Sequence, residues 1–266
     1  MKKKVHLISV IIPAYKQEKT IKNDLIRIKH VLDQLRYDYE IILVVDGNAD
    51  KTLQNAQKMK FNKIIVTGYN TNKGKGHAVR FGMAKAKGDI IAFIDAGMDI
   101  NPNGLSMLME HFEWYNADII VGSKLHPVSK VNYPVTRKIL SWGYRTLVRL
   151  LFGLSVRDTQ VGMKFFRKKV LEDVLPRLLV KTYAFDIEII AVAHYLGYKR
   201  IFEAPIELDF TGVSSITSKN FWNTIFLMLR DTVAVFYRLK ILHYYDRGNK
   251  RKWKFDPELN FRVNLP

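Results

Sequence analysis

The sequence predicts an α/β fold, a mainly parallel central sheet flanked by helices, and three observations predict it. Short β-branched runs alternate with helical patterns through the first 122 residues, and such alternation builds βαβ units. Polar and glycine-rich residues, carboxylates among them, follow the hydrophobic runs, where parallel sheets place their ligand sites. At 266 residues, 48% of them hydrophobic, the chain is long and apolar enough for one sizeable core.

Leu7–Ile12 reads as the first strand. Its basic start, Met1-Lys2-Lys3-Lys4, imitates a signal peptide, but the apolar run is short, ends at Pro13 and lacks a small-residue cleavage site. Ile21, Leu25, Ile28, Leu32 and Leu35 then recur at helical spacing. Glu40–Val45, Lys63–Thr67, Asp89–Ile94 and Asp118–Val121 read as further buried strands. Between the third and fourth, the run Asn72-Lys73-Gly74-Lys75-Gly76-His77-Ala78-Val79-Arg80 opens a helix. Its glycines would let backbone N–H groups approach a phosphate while Lys and Arg supply charge. It is not a P-loop: Gly68 and Gly74 are one residue too far apart, and Gly76 stands where Ser or Thr should follow the lysine.

After residue 122 the pattern loosens into an amphipathic stretch Arg137–Phe152, a loop Leu154–Gly162, a helix near Phe185–Leu196 and short strands near Arg200–Phe210. A second amphipathic stretch, Phe221–Tyr245, and a basic tail, Arg247–Lys254, complete the chain. We read residues 1–216 as one domain, with one half to 122 and a second beyond it, and 217–266 as an amphipathic, basic helical extension.

The formal charge is +18, and the excess is +5 over residues 1–122 but +13 over residues 123–266. Such a field favours phosphate-rich partners. With no recognisable nucleic-acid module, nucleic acid is not the expected one. The absence of cysteine excludes disulfides and thiolate metal sites and suits a cytoplasmic setting. No run reaches the roughly 18 apolar residues of a membrane span.

The residues after the strands are Pro13-Ala14-Tyr15, Asp46-Gly47, Gly68-Tyr69-Asn70, Asp95-Ala96-Gly97-Met98-Asp99 and Gly122-Ser123-Lys124. Asp95 and Asp99 flank one short turn, where two carboxylates repel unless a cation or a sugar hydroxyl lies between them. Hard divalent cations suit such a pair. Asp99 alternatively caps a helix beginning near Pro102.

The succession Val10-Ile11-Ile12-Pro13-Ala14-Tyr15 through Glu18, Val45-Asp46-Gly47 with Asp50 and Thr52, Asn72-Lys73-Gly74-Lys75-Gly76, then Asp95-Ala96 is similar in order and spacing to family 2 glycosyltransferases. Gly122-Ser123-Lys124, the run from Arg157 to Lys164 and Phe185-Asp186-Ile187-Glu188 resemble the branch that moves hexose onto polyprenyl phosphate, the dolichyl-phosphate glucosyl- and mannosyltransferase type. The resemblance covers about residues 8 to 216. It implies a GT-A fold, a nucleotide-sugar donor, a polyprenyl phosphate acceptor and Mg²⁺ or Mn²⁺.

By position, the resemblance implies that Pro13, Ala14, Tyr15, Glu18 and Asp46 hold the nucleoside, that Lys75 lies beside the base and phosphates, and that Asp95 touches the ribose or the metal-bound diphosphate. Lys124, where relatives usually have Arg, would face phosphate together with Arg137. Asp158 and Gln160 match the loop that closes over the reaction centre. One departure stands out: relatives carry a second Asp at the position of Gly97, and Asp99 would have to supply the missing metal ligand.

A polyprenyl phosphate, already largely dianionic at neutral pH, needs no strong base. Inversion by direct displacement is therefore expected, with Asp158 orienting the acceptor or acting as a weak base. Thr159-Gln160-Val161-Gly162 looks more like the glucosyl branch, which tilts the donor to UDP-glucose over GDP-mannose. Trp142, Tyr144, Leu147, Leu150 and Phe152 accompany Arg137, Lys138, Arg145 and Arg149, while Phe221, Trp222, Phe226, Phe236 and Tyr237 accompany Arg230, Arg238 and Lys240. Aromatics beside cations suit peripheral attachment to the cytoplasmic face of an anionic membrane. The same residues could equally bury in the protein's own core or form an oligomer interface. The competing functions are a family 2 enzyme with a saccharide acceptor and a catalytically degenerate binding protein.

Overall fold

The structure, a computed structural model, describes residues 6–132, 135–209, 221–249 and 253–264. In chain order the first half contains β1 (Leu7–Ala14), α1 (Ile21–Asp33), β2 (Asp38–Asp46), α2 (Thr52–Gln57), β3 (Ile64–Tyr69), α3 (Lys75–Lys85), β4 (Ile90–Ile94), α4 (Gly104–Trp114) and β5 (Ile119–Ser123). The second half adds β6 (Lys130–Asn132), α5 (Val135–Phe152), β7 (Met163–Arg167), α6 (Lys168–Val174), a 3-10 turn (Leu175–Arg177), α7 (Phe185–Tyr195), β8 (Ile201–Pro205), β9 (Glu207–Asp209), α8 (Phe221–Lys240), β10 (Trp253–Asp256) and β11 (Phe261–Asn264).

Seven strands form the central sheet in the order β3-β2-β1-β4-β7-β5-β8, all parallel to their neighbours except β7, which runs antiparallel to both β4 and β5. Alternation along each strand divides the core into two layers. Ile8, Val10, Ile12, Ile41, Leu43 and Val45 face α1 and α4, whereas Ile11, Ile42, Val44, Ile91 and Phe93 face α3 and α7. On α1 the stripe of Ile21, Leu25, Ile28 and Leu32 is fully buried, as its spacing predicts. All five strands read from the first 122 residues are present.

β7 escapes the sequence pattern because Lys164 and Arg167 interrupt Met-Lys-Phe-Phe-Arg. It matters for the site. The parallel strands all end at one edge of the sheet, and an antiparallel strand begins there, so the loop before β7, residues 154–162, arrives beside the ends of β4 and β5.

The amphipathic helices divide their apolar residues between two faces. On α8, Thr232, Val235 and Leu239 are buried, while Trp222, Phe226, Val233 and Tyr237 form an exposed stripe. On α5, Val148 and Phe152 are buried, and Trp142 and Leu150 are exposed. Each helix therefore buries one apolar face, as the core reading expects, and leaves the other exposed. Arg238 turns inward, 3.5 Å from the buried Glu188. Beyond α8 the stretch read as a basic tail leads into a β10–β11 hairpin whose neighbours Leu259 and Val263 bury against the α3 and α7 layer; residues 250–252 of that stretch lie outside the described residues.

Candidate active site

The carboxyl edge of the sheet gathers the residues singled out in the sequence. Pro13 and Ala14 end β1, and Tyr15 is exposed immediately beyond. Glu18 ties this loop to the one after β2: its backbone N–H donates to Asp50 at 3.1 Å, and its carboxylate accepts from the Lys51 N–H at 3.1 Å. Asp46 is buried and accepts from the Tyr69 hydroxyl at 2.9 Å, the Asn72 amide at 3.1 Å, the Lys73 N–H at 2.7 Å and the Gly74 N–H at 3.1 Å.

That arrangement withdraws three N–H groups from the backbone-cradle reading of the glycine run. Those of Lys73 and Gly74 are taken by Asp46, and that of His77 by the Lys181 carbonyl at 3.2 Å. The glycines also serve close packing: Gly74, at φ 96°, leaves room for the Lys181 carbonyl, and a Cβ at Gly76 would lie 2.5 Å from Phe185. Arg80 likewise turns away from the edge to cover the Phe261 ring, 5.6 Å from its centroid. The cation that this run sets beside Asp95 is Lys75.

Lys75 lies between two carboxylates, 2.9 Å from Asp95 and 3.5 Å from Asp186. Burial opposes its charge, but Asp186 and Asp95 outweigh burial and hold the ammonium protonated well above the usual lysine range. Asp186 also accepts from the fully buried Lys164 at 2.5 Å. Burial would raise the Asp186 pKa, yet the two lysines hold it below the ordinary carboxylate range. Two ammonium groups and two carboxylates thus form one compensated network beneath the site. Lys164 and Asp186 stand in the runs that carry the family resemblance, but only the fold shows that they support Lys75 and Asp95.

Asp95 follows β4, and its N–H donates to the Gly162 carbonyl at 2.9 Å, joining it to the loop before β7. One carboxylate oxygen faces Lys75; the other, Oδ1, is buried with no hydrogen-bond partner. Such an atom suits a sugar hydroxyl or a hard cation that takes its remaining ligands from phosphate. The residues therefore fit a divalent ion held jointly with substrate. Among the described residues no group of three or more His, Asp or Glu could hold one by protein alone.

Gly97 has φ 92° and donates its N–H to the buried Asp24 carboxylate at 3.1 Å. Met98 follows, also in the left-handed region, at φ 56°. Asp99 is half-buried on the same turn, while the residue ahead of α4 is Asn103, whose N–H goes to the Asn101 side chain at 3.1 Å. The capping position thus belongs to Asn103, not Asp99.

In the loop before β7, Asp158 is buried and accepts from the Lys124 N–H at 3.0 Å, with the Lys124 ammonium 3.7 Å away. Its own N–H donates to Glu203 at 2.9 Å. Gln160 reaches the Tyr144 hydroxyl at 3.5 Å, which meets Thr232 at 2.9 Å, so the loop is tied to both α5 and α8. Burial pushes the Tyr144 hydroxyl up to about 12. Arg137 belongs to α5, but its side chain lies outside the described residues.

The chain matches Glycosyl transferase family 2 over residues 9–175. It is 30% identical over 247 residues to a dolichyl-phosphate beta-glucosyltransferase of Drosophila melanogaster, covering 87% of this chain and 74% of that protein. It is also 30% identical over 254 residues to a UDP-N-acetylglucosamine--dolichyl-phosphate N-acetylglucosaminyltransferase of Methanococcus voltae, covering 89% and 96%. Among solved structures, glucosyl-3-phosphoglycerate synthase from Mycobacterium tuberculosis, in complex with Mn²⁺, UDP and phosphoglyceric acid, superposes with a TM-score of 0.64 at 20% identity, over 98% of this chain and 87% of that one. Mannosyl-3-phosphoglycerate synthase from Rubrobacter xylanophilus gives 0.66 at 14%, over 93% and 77%. Both carry the same GT-A fold.

Proposed function

Since this chain belongs to glycosyl transferase family 2, we propose that it moves a hexose from a nucleotide sugar, UDP-glucose, to a polyprenyl phosphate and inverts the anomeric centre. The observation that carries the reading is the meeting at one sheet edge of Asp95, with one carboxylate oxygen unpartnered, Lys75 beside it, and the Lys124–Asp158 pair on the adjoining loop. A donor diphosphate would find a cation at Lys75, and an acceptor phosphate a second cation at Lys124. Relatives named for dolichyl-phosphate acceptors support the lipid phosphate, and a UDP-sugar name among them supports the uridine donor.

In this reading Pro13, Ala14, Tyr15 and Glu18 frame the nucleoside, while Asp46 sets the loop on which Lys75 stands. Asp158 positions Lys124 rather than removing a proton, because its carboxylate is already engaged by that residue. Gln160 holds the loop against α5, and Arg137 adds charge toward the acceptor. One oxygen of the acceptor phosphate forms the new bond to the anomeric carbon. The bond from that carbon to the donor diphosphate breaks with its electron pair, and nucleoside diphosphate departs without any proton transfer. Holding the two phosphates in line and neutralising the leaving one account for the acceleration. Mg²⁺ or Mn²⁺ held by Asp95, with Asp99 as a second carboxylate, would neutralise part of the charge on the leaving diphosphate.

The exposed stripes of α5 and α8 would rest on the anionic cytoplasmic face of a membrane, where the acceptor's chain is buried. Among the described residues no helix is long and apolar enough to cross it. The test is release of UDP or GDP from a panel of nucleotide sugars with and without undecaprenyl phosphate. Turnover of UDP-glucose that requires the lipid phosphate is expected. Equal turnover with soluble saccharides and no lipid would overturn the acceptor, and binding of nucleotide sugar without any turnover would overturn the enzyme reading.

A further inference from the structure

Glu258 sits in the turn between β10 and β11, and both its carboxylate oxygens accept from the Lys73 ammonium at 2.7 Å. The hairpin holds that side chain firmly. Asp256 accepts from the N–H groups of Glu258 and Leu259 at 2.9 and 3.1 Å, and Leu259 is buried in the layer formed by α3 and α7. His77, on the first turn of α3, stands 3.5 Å from the same carboxylate.

From the other side, the Lys73 N–H is held by Asp46 at 2.7 Å, and its ammonium lies 5.0 Å from the centroid of Tyr69, whose hydroxyl also meets Asp46. Two residues on, Lys75 meets Asp95. Residues 72–75 are therefore gripped by four carboxylates: Asp46 at the end of β2, Asp95 after β4, Asp186 on α7 and Glu258 in the C-terminal hairpin. Glu258 is the most distant of them in the chain, 185 residues from Lys73.

We propose that Glu258 is a positioning residue of the donor site: through Lys73 it fixes the 72–75 segment, and so the place of Lys75 beside the donor diphosphate. This rests on the reading of Lys75 and Asp46 as donor-site groups. Because the tether is an ion pair, its requirement is opposite charge, and exchanging the two residues should preserve it.

The experiment compares the full chain with Glu258→Ala and with the exchanged pair Lys73→Glu/Glu258→Lys. Two readouts are taken: amide hydrogen exchange over residues 72–78 without ligand, and UDP binding by calorimetry. In Glu258→Ala the Lys73 and Gly74 amides lose protection and UDP binds roughly two- to fivefold more weakly, while the thermal midpoint stays near that of the parent. The exchanged pair restores both. Unchanged protection or unchanged UDP affinity in Glu258→Ala would overturn the inference, as would an exchanged pair no better than the single variant. A parent protein that takes up neither UDP nor GDP would defeat the donor reading itself, and the exchange comparison then decides the tether on its own.

Discussion

Gly97 adopts φ 92°, a conformation that costs a residue with a Cβ on the order of 1–2 kcal/mol. Introducing the carboxylate that the family resemblance implies at this position should therefore not repair a metal site. Gly97→Asp is expected to lower the thermal midpoint and leave Mg²⁺ binding in the presence of UDP no tighter; tighter binding at unchanged stability would contradict this. Gly162 is constrained by a neighbour, since a Cβ there would lie 1.8 Å from Asp95 Oδ2. Gly162→Ala must displace the Asp95 carboxylate, so UDP binding should be lost in a protein with a normal circular dichroism spectrum. Asp186 compensates two lysines, one of them fully buried. Asp186→Asn would leave the buried Lys164, whose charge burial already disfavours, without its main compensating partner, at a cost of up to about 3–5 kcal/mol in denaturant unfolding. The sign with pH follows from its depressed native pKa: the stabilisation is complete above the unfolded value of ~3.9 and fades as the pH falls through the lower native value. The difference between parent and Asp186→Asn should accordingly shrink below about pH 4, and again at alkaline pH as the buried Lys164, held below the usual lysine range, loses its proton.

At the scale of elements, α8 carries two apolar stripes, and helical periodicity could not say which would be covered. Residues at 232, 235 and 239 pack inward, while Trp222 and Phe226 remain 73% and 64% exposed. Substituting both by Ser should reduce binding to vesicles containing undecaprenyl phosphate, while the thermal midpoint shifts little, because exposed positions usually change stability by within about 0.5 kcal/mol. A large fall in the midpoint would show that these rings pack within the protein. β7 shows the opposite limit of pattern reading. Its buried lysine is satisfied by Asp186 and the Val161 carbonyl, partners that only the assembled sheet supplies.

Over the whole molecule, the charge excess of +13 in residues 123–266 lies in the part that carries both two-faced helices. Not all of it is available to a surface, since Arg238 meets Glu188 and Arg200 pairs with Asp118 at 2.7 Å. The exposed cations among the rest, each contributing about 1 kcal/mol near an anionic surface, should bring the protein to anionic vesicles in flotation and release it as salt rises. Equal flotation with neutral vesicles at low salt would remove the electrostatic component.

The five first strands, α1, the polar carboxyl edge of the sheet and the family were legible in the sequence, because β-branched runs, helical spacing and the order of Asp46, Gly74, Lys75 and Asp95 are local properties of a chain. The positions of the site residues beside one another were not. An antiparallel strand brings the loop of Asp158, Gln160 and Gly162 to the carboxyl edge, where the Gly162 carbonyl accepts from Asp95, and Asp46 takes the N–H groups of Lys73 and Gly74. The hairpin from the end of the chain closes on Lys73. Each of these contacts joins residues far apart in sequence, and their energies depend on desolvation and on distances that exist only once the chain has closed on itself, so tertiary structure alone decided them.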